Sequence, residues 1–328
     1  MPDPIATSAG TGLHLSVVIP VYYAEQTLEL LTEKVLVAFR VNGWRGEIIL
    51  VNDGSRDRSW ALIQRLGGTH PEVKGIDLRR NFGQDNAIMT GLRNASGELV
   101  AIMDDDLQHD PADLVRLVEA LSDEADVVYG TFRRKHQSWW KNLGSWLNGK
   151  TGEWLIDKPK GIYMSPYKLM RRAVAVAIGA YDGPFPYVDG LIFQVTDRIV
   201  ETTVEHHRRV MGRSLYSFGR SVDVWMRLFS SFSVRPLRVV SWLGAFLAGT
   251  GFASAVAVVA YRLVKPDEFS NAVAGWASLM IAVLFIGGVE MLFLGVLGEY
   301  VGRTYLHVNS KPQSIIREMV NLPLMEKE

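Results

Sequence analysis

The sequence predicts an α/β fold with a mostly parallel sheet, followed by two C-terminal transmembrane helices. Three observations lead there. Between Leu15 and Thr131, apolar runs too continuous for a one-sided sheet alternate with helix-patterned stretches. Acidic and small polar residues cluster just after those runs, where parallel α/β sheets bind their ligands. Two charge-free runs of 23 and 21 residues, Val239–Tyr261 and Phe269–Val289, fall in the last third.

Taken in chain order, residues 1–14 are small, polar and proline-bearing and read as a flexible leader, without the basic and apolar regions of a signal peptide. Residues 15–218 form the expected catalytic domain. Its buried strands are Leu15–Pro20, Glu47–Val51, Val73–Leu78 and Glu98–Met103, with a fifth at Asp126–Thr131. The intervening helices are Thr27–Val41, Asp57–Leu66, Gln84–Asn94 and Pro111–Leu121, the last with Asp110 as N-cap and Pro111 at its start. Residues 219–236 mix Trp, Met, Leu and Phe with charges, the pattern of an interfacial amphipathic segment.

The spans are expected at 237–264 and 269–298, with a cytoplasmic tail at 299–328. A spanning helix needs about 20 apolar residues. Between Val239 and Val289 the only charges are Arg262, Lys265, Asp267 and Glu268, gathered in one turn. Gly244, Gly249, Gly251, Gly287 and Gly288 suit membrane helices better than soluble ones. Arg220, Arg227, Arg235 and Arg238 precede the first run, and Arg303, Lys311 and Arg317 follow the second. The positive-inside rule therefore puts the catalytic domain and both termini on the cytoplasmic side of the inner (plasma) membrane.

Composition narrows the function. The chain has 328 residues, with 35 basic and 35 acidic side chains and 48% hydrophobic content. That excludes disorder, and a neutral chain argues against nucleic acid as a partner. With no cysteine, disulfides, thiolate nucleophiles and iron–sulfur clusters are excluded together. The neutral total conceals a basic stretch: from Glu205 to Arg238 there are seven arginines against two acids.

The sharpest motif is MDDDLQHDP (103–111), directly after a buried strand. Asp104 and Asp106 are one residue apart and point the same way in extended chain. Two carboxylates held together call for a cation. An all-oxygen set with Gln108 as third ligand suits Mg²⁺ or Mn²⁺ completed by substrate phosphates. Asp53 ends the second strand, placed to accept from a base N–H or ribose hydroxyl, with Gly54 permitting the turn. Pro20, Tyr22 and Glu25 end the first, Tyr22 to flank a base and Glu25 to bind a hydroxyl. The stretch 81–86 opens a helix whose amides would favour an anion. Together these describe a sugar-nucleotide site.

SVVIPVYYAEQ (16–26), ILVNDGSRD (49–57), NFGQDNAIMTGL (81–92) and MDDDLQHDP resemble glycosyltransferase family 2, whose catalytic domain has the GT-A, Rossmann-like fold. With GRSLYSFGR (212–220) before the runs and LGEYVGRTY (297–305) after them, the chain resembles the polyprenyl-phosphate branch, relatives of dolichyl-phosphate-mannose synthase and the bacterial undecaprenyl-phosphate sugar transferases. The resemblance implies that Pro20, Tyr22, Glu25, Asp53 and Asp104 hold the nucleoside diphosphate. It makes Asp104 and Asp106 the catalytic pair, which holds metal and diphosphate with Gln108. Arg209, Arg213, Ser214 and Tyr216 match a basic segment expected to grip the acceptor phosphate, a role that suits arginine forks. Asp189 is a candidate for sugar hydroxyls or an ordinary loop aspartate. The family's Asn after the first-strand Tyr is Tyr23 here, and a stretch that carries a proposed base in some relatives reads Tyr163-Met-Ser-Pro-Tyr-Lys168.

The expected activity is inverting transfer of a sugar from a nucleotide sugar, with UDP favoured over GDP, to undecaprenyl or dolichyl phosphate at the bilayer. Two rivals remain open: a family 2 enzyme extending a glycan or lipid-linked oligosaccharide, and a non-catalytic membrane scaffold or flippase component. Small residues along the spans also suggest a homo-oligomer.

Overall fold

The computed structural model describes residues 12–132, 159, 161–205, 235–264, 276–309 and 312–322. The chain divides into two units. Residues Met1–Tyr216 with Ser310–Glu328 form the first, and Ser217–Asn309 the second.

The first unit is a sheet of eight strands between helical layers. Its strands are β1 (His14–Val21), β2 (Arg45–Asn52), β3 (Val73–Leu78), β4 (Leu99–Ile102), β5 (Val127–Phe132), β6 (Lys168–Arg171), β7 (Ile199–Val204) and β8 (Ile316–Val320), in the order β7-β5-β6-β4-β1-β2-β3-β8. The helices are α1 (Leu28–Asn42), α2 (Ser59–Thr69), α3 (Gln84–Arg93), α4 (Leu114–Ala120), α5 (Arg172–Gly179) and α6 (Val188–Val195).

The four strands expected around the site, β4-β1-β2-β3, are parallel, as their two-sided burial requires. Leu15, Val17, Ile19 and Val21 of β1 face a core shared with Leu28, Leu31 and Val35 of α1 and Leu114 and Leu117 of α4. On the opposite face α3 lies so close that a Cβ on Gly91 would sit 2.3 Å from Val18 Cγ1. The start of α4 departs slightly from expectation. Asp110 caps it by accepting from Ala112 N, and Pro111–Asp113 form a 3₁₀ turn before the α-helix begins at Leu114.

Three strands were not foreseen. At one edge of the sheet, β7 pairs parallel with β5. The four-residue β6 runs antiparallel between β4 and β5. The strand β8 comes from the segment expected as a tail from 299 onward; it pairs antiparallel with β3 and closes that edge. The segment after the second long helix is thus part of the first unit.

The second unit contains α7 (Arg235–Val264) and α8 (Trp276–Val308). Among the described residues no helix is long and apolar enough to cross a membrane. Several side chains of both helices lie outside the described set, so the two expected spans rest on the uncharged runs of the sequence. The expected interfacial segment at 219–236 also falls outside it, apart from the first residues of α7.

Candidate active site

The carboxyl ends of β1, β2 and β4 and the start of α3 enclose a cleft of about 320 Å³, lined by Pro20, Val21, Tyr22, Asp53, Asn81, Gly83, Gln84 and the three acids Asp104, Asp105 and Asp106. Register explains the gathering. Pro20 pairs with Val51 and Val18 with Ile102, so the segments after β1, β2 and β4 emerge side by side.

Asp53 organises one wall. Its carboxylate is buried and accepts from Phe82 N at 2.7 Å and Gly83 N at 2.9 Å. The anion expected at the mouth of α3 is therefore supplied by the chain itself. Burial raises the Asp53 pKa, and although the two amides oppose it, the carboxyl stays above the usual range. The turn after Asp53 is tight. Gly54 has φ +67°, and a Cβ there would lie 2.4 Å from Arg80 C and 2.5 Å from Asn81 N.

The acidic lip is more differentiated than its sequence. Gln84 Nε2 donates to Asp104 Oδ1 at 2.7 Å, fixing that carboxylate from α3. Asp106 Oδ1 accepts from Gln108 N at 3.1 Å. The middle residue ties β4 to β1: Asp105 Oδ2 accepts from Tyr22 N at 2.9 Å, and its carbonyl accepts from Thr27 Oγ1 at 2.7 Å. Leu107, at φ +60°, lets the chain turn after these acids. The Tyr22 ring is half exposed and meets Tyr23 edge-on at 4.6 Å between centroids.

As for a cation, the lip offers carboxylate oxygens at Asp104 and Asp106 facing the cleft. Among the described residues no group of three His, Asp or Glu side chains gathers to hold a metal. The donor set fits a hard ion that takes its remaining ligands from phosphate and water.

With this geometry in view, the comparisons decide the family. The profile described as "Glycosyl transferase family 2" matches residues 16–179, the stretch that builds the cleft. The chain belongs to glycosyl transferase family 2. Two similar proteins are the undecaprenyl-phosphate 4-deoxy-4-formamido-L-arabinose transferases of Aeromonas hydrophila subsp. hydrophila and Pectobacterium atrosepticum. They are 34% and 35% identical, covering 93% and 94% of this chain and 94% of each relative. Among solved structures, glucosyl-3-phosphoglycerate synthase from Mycobacterium tuberculosis in complex with phosphoglyceric acid is similar at 19% identity, covering 68% of this chain and 81% of that one, with a TM-score of 0.49.

In this family 2 site, Pro20, Tyr22, Asp53, Asp104 and Asp106 line one cleft. Glu25 is not a lining residue; its Oε2 accepts from Arg58 N at 2.9 Å, at the start of α2. Gln108 is likewise outside the lining, and its backbone N–H donates to Asp106. Asp189 sits in the first turn of α6, where Tyr129 Oη donates to its Oδ1 at 2.7 Å and the buried Lys168 Nζ pairs with the same oxygen. Burial, then the Asp189 charge and hydrogen bond, hold the Tyr129 phenol well above its usual pKa. Arg209, Arg213, Ser214 and Tyr216 lie outside the described residues. The sequence reading passed over Gln84 and Asp105. The signal for Gln84 was its position at a helix start beside a strand-end carboxylate.

Proposed function

We propose that this family 2 enzyme transfers a sugar from a nucleoside diphosphate donor to a polyprenyl phosphate at the cytoplasmic face of the membrane. The observation that carries the reading is the extent of the match to the two undecaprenyl-phosphate transferases. It spans 93–94% of the chain, far beyond the catalytic core at 16–179 that all family 2 enzymes would share.

The second unit supports a lipid setting. Trp242, Phe246, Leu279, Met291, Leu294 and Tyr305 are all more than half exposed on α7 and α8 among the described residues, an apolar surface of the kind lipid would accept. At 1.5 Å per residue each helix is roughly 45–50 Å long, and the uncharged runs of the sequence, rather than the described side chains, are the ground on which we read them as spans. The positive-inside count of the sequence supports a cytoplasmic catalytic domain.

In the reaction, Tyr22 and Pro20 flank the nucleoside and Asp53 keeps the α3 wall in place. Asp104 and Asp106 would hold Mg²⁺ or Mn²⁺, which supplies charge to the departing diphosphate. Gln84 keeps Asp104 aimed at the cleft. An oxygen of the lipid phosphate attacks the anomeric carbon with inversion. The bond from that carbon to the diphosphate oxygen breaks, and the diphosphate leaves with the electron pair. The attacking oxygen is already anionic at neutral pH, so no side chain need remove a proton. Arg209, Arg213, Ser214 and Tyr216 are proposed to grip the acceptor phosphate, and Asp189, fixed through one oxygen, to accept from a sugar hydroxyl. The donor is proposed to be UDP-linked.

The test uses full-length enzyme in membranes with undecaprenyl phosphate and a panel of radiolabelled UDP- and GDP-sugars. Label should pass into the organic phase with one donor and vanish with Asp106→Asn. Label appearing only in an elongated glycan would overturn the acceptor, and no transfer with any donor would favour a scaffold.

A further inference from the structure

We infer that Arg317, on the strand that follows the second long helix, is a positioning residue for the α3 wall of the donor cleft. This rests on the reading that the cleft takes the nucleotide sugar. The pairing of β8 with β3 sets Asp77 opposite Glu318 and Leu78 opposite Ile316, which leaves Arg317 as the extra residue of an irregular register. Such bulges re-aim a side chain. Here the guanidinium turns toward the sheet's carboxyl edge. Its Nη1 lies 3.2 Å from Asp77 Oδ2, and its Nη2 donates to the Arg79 carbonyl at 2.8 Å.

Both partners lead to the cleft. Asp77 is almost fully buried, and its other oxygen accepts from Asn52 Nδ2 at 2.7 Å. Asn52 immediately precedes Asp53, whose carboxylate takes the amides of Phe82 and Gly83. Arg79 is two residues before Asn81, a lining residue. The contacts therefore close a circuit: Arg317 to Asp77, Asn52 and Asp53, across to Phe82 and Gly83, and back through the 79–83 loop to Arg317. A carboxylate as buried as Asp77 depends on its cation, because an unmatched buried charge is costly. Arg317 is itself half exposed, but its partner Asp77 is desolvated, and that sets the value of the pair.

Other bonds of the segment 313–321, the strap, hold it to α2, to β3 and to the far half of α3, where Thr90 Oγ1 and Ser314 Oγ lie 2.8 Å apart and Arg93 Nη2 donates to Gln313 Oε1 at 2.7 Å. Glu318 accepts from Trp60 Nε1 and Gln64 Nε2 of α2, and Asn321 Nδ2 donates to the carbonyls of Gly67 and Val73. Arg79 N still donates to Ile315 O. Losing the Arg317 guanidinium should loosen the 79–83 loop without detaching β8. Since β8 follows α8 after only a short link, the wall that meets the donor is stapled by the segment emerging from the second unit.

The test is hydrogen–deuterium exchange on full-length enzyme in nanodiscs, which needs no donor and so stands apart from the assignment of the reaction. Arg317→Met should speed exchange across residues 79–86 by roughly tenfold or more, leaving β1 and β4 unchanged. Arg317→Lys should recover part of the protection, because one ammonium cannot serve both Asp77 and Arg79 as the guanidinium fork does. Glu318→Gln should leave residues 79–86 as in the wild type. With the donor found in the transfer panel, Arg317→Met should raise its KM more than it lowers kcat. Unchanged exchange at 79–86, exchange rising throughout the sheet, or an equal effect from Glu318→Gln would each overturn the proposal. Failure of every donor, with the exchange pattern as expected, would count against the reaction and not against the positioning role.

Discussion

Asp53→Asn separates a carboxylate that touches the nucleoside from one that shapes the wall behind it. In the structure two backbone amides, at 2.7 and 2.9 Å, converge on one buried carboxylate. Asparagine presents a single acceptor oxygen, so one amide would face an NH₂ group. Losing a charge-assisted hydrogen bond costs about 1.5–3 kcal/mol. The neutral side chain recovers some of the desolvation that burial imposes on the carboxylate, which lowers the expected net loss to about 1–2 kcal/mol. Since 1.4 kcal/mol is a factor of ten, donor kcat/KM should fall roughly 5- to 30-fold. If Asp53 acts by holding the α3 mouth, part of that loss passes through Gln84 and its bond to Asp104. A cycle with Gln84→Leu, measured as initial rates of lipid-linked product, should then show a coupling of at least ~1 kcal/mol. Additivity within ~0.5 kcal/mol would refute the reasoning. The pH dependence gives a second check. The folded-state pKa of Asp53 is raised, so this group favours folding as pH falls through the window between its ordinary and raised values, and that contribution disappears above it. Protonation nevertheless removes one of the two acceptors. Wild-type activity should therefore decline on the acid side at a higher pH than an ordinary carboxylate would dictate, and Asp53→Asn should lose that limb.

Three further outcomes are expected. Gly54→Ala forces a Cβ to within 2.4–2.5 Å of the Arg80–Asn81 backbone at a φ of +67°, so it should destabilise the enzyme by about 2 kcal/mol or more and lower its melting temperature in detergent. The three acids should respond unequally: Asp105→Asn, which can still accept from Tyr22 N, should keep turnover within about threefold, whereas Asp104→Asn and Asp106→Asn should each cost about 10²-fold or more in Mg²⁺- or Mn²⁺-supported transfer. At the opposite end of the sheet, burial pushes the Glu47 pKa upward, but hydrogen bonds from Lys74, Ser16 and Ser96 and the Lys74 charge outweigh it and leave it lowered. Its contribution is present above the ordinary Glu pKa and lost as pH falls through the lowered value, so Glu47→Gln should destabilise by ~1–3 kcal/mol at neutral pH and progressively less in acid, as read by thermal denaturation.

What the sequence made legible follows from burial. Strands β1 to β4 are covered on both faces, so their apolar runs stand out, and the helices between them carry clear periodicity. The acids at 104–106 were legible because they follow such a run. The strand β6 was not, since its four residues begin and end with a cation and Lys168 is accommodated through Asp189, 21 residues away, and the face of the Tyr129 ring. The strand β8 was hidden for a related reason: Arg317 and Glu318 look like a solvated tail until Asp77, Trp60 and Gln64 are placed beside them. Roles within the site were less legible than membership. Glu25 and Gln108 have the right chemistry for ligand contact, yet the Arg58 amide, 33 positions on, engages Glu25, and Gln108 serves Asp106 through its own N–H. Backbone partners of this kind leave no trace in residue spacing.

The placement of β8 also bears on when the site becomes competent. Strands β1 to β4 and helix α3 are all encoded before residue 103, so the cleft's carboxylates are in place early in the chain. The outer edge of β3, however, stays open until β8 arrives. An open edge is a row of unpaired backbone groups. The bond from Arg317 to Arg79 spans 238 positions, and the other strap contacts on α2 and the β3 end span nearly 250 or more. Contacts at such separation carry a large closure cost and form after local ones. Both long helices must therefore be synthesised before the edge closes and the α3 wall is fixed. A chain interrupted between α7 and α8 would have every residue that lines the cleft and still lack the clamp that keeps Phe82 and Gly83 against Asp53. The fold thus makes an ordered donor wall conditional on a complete second unit, through a strand that sequence patterning alone would have left as a tail.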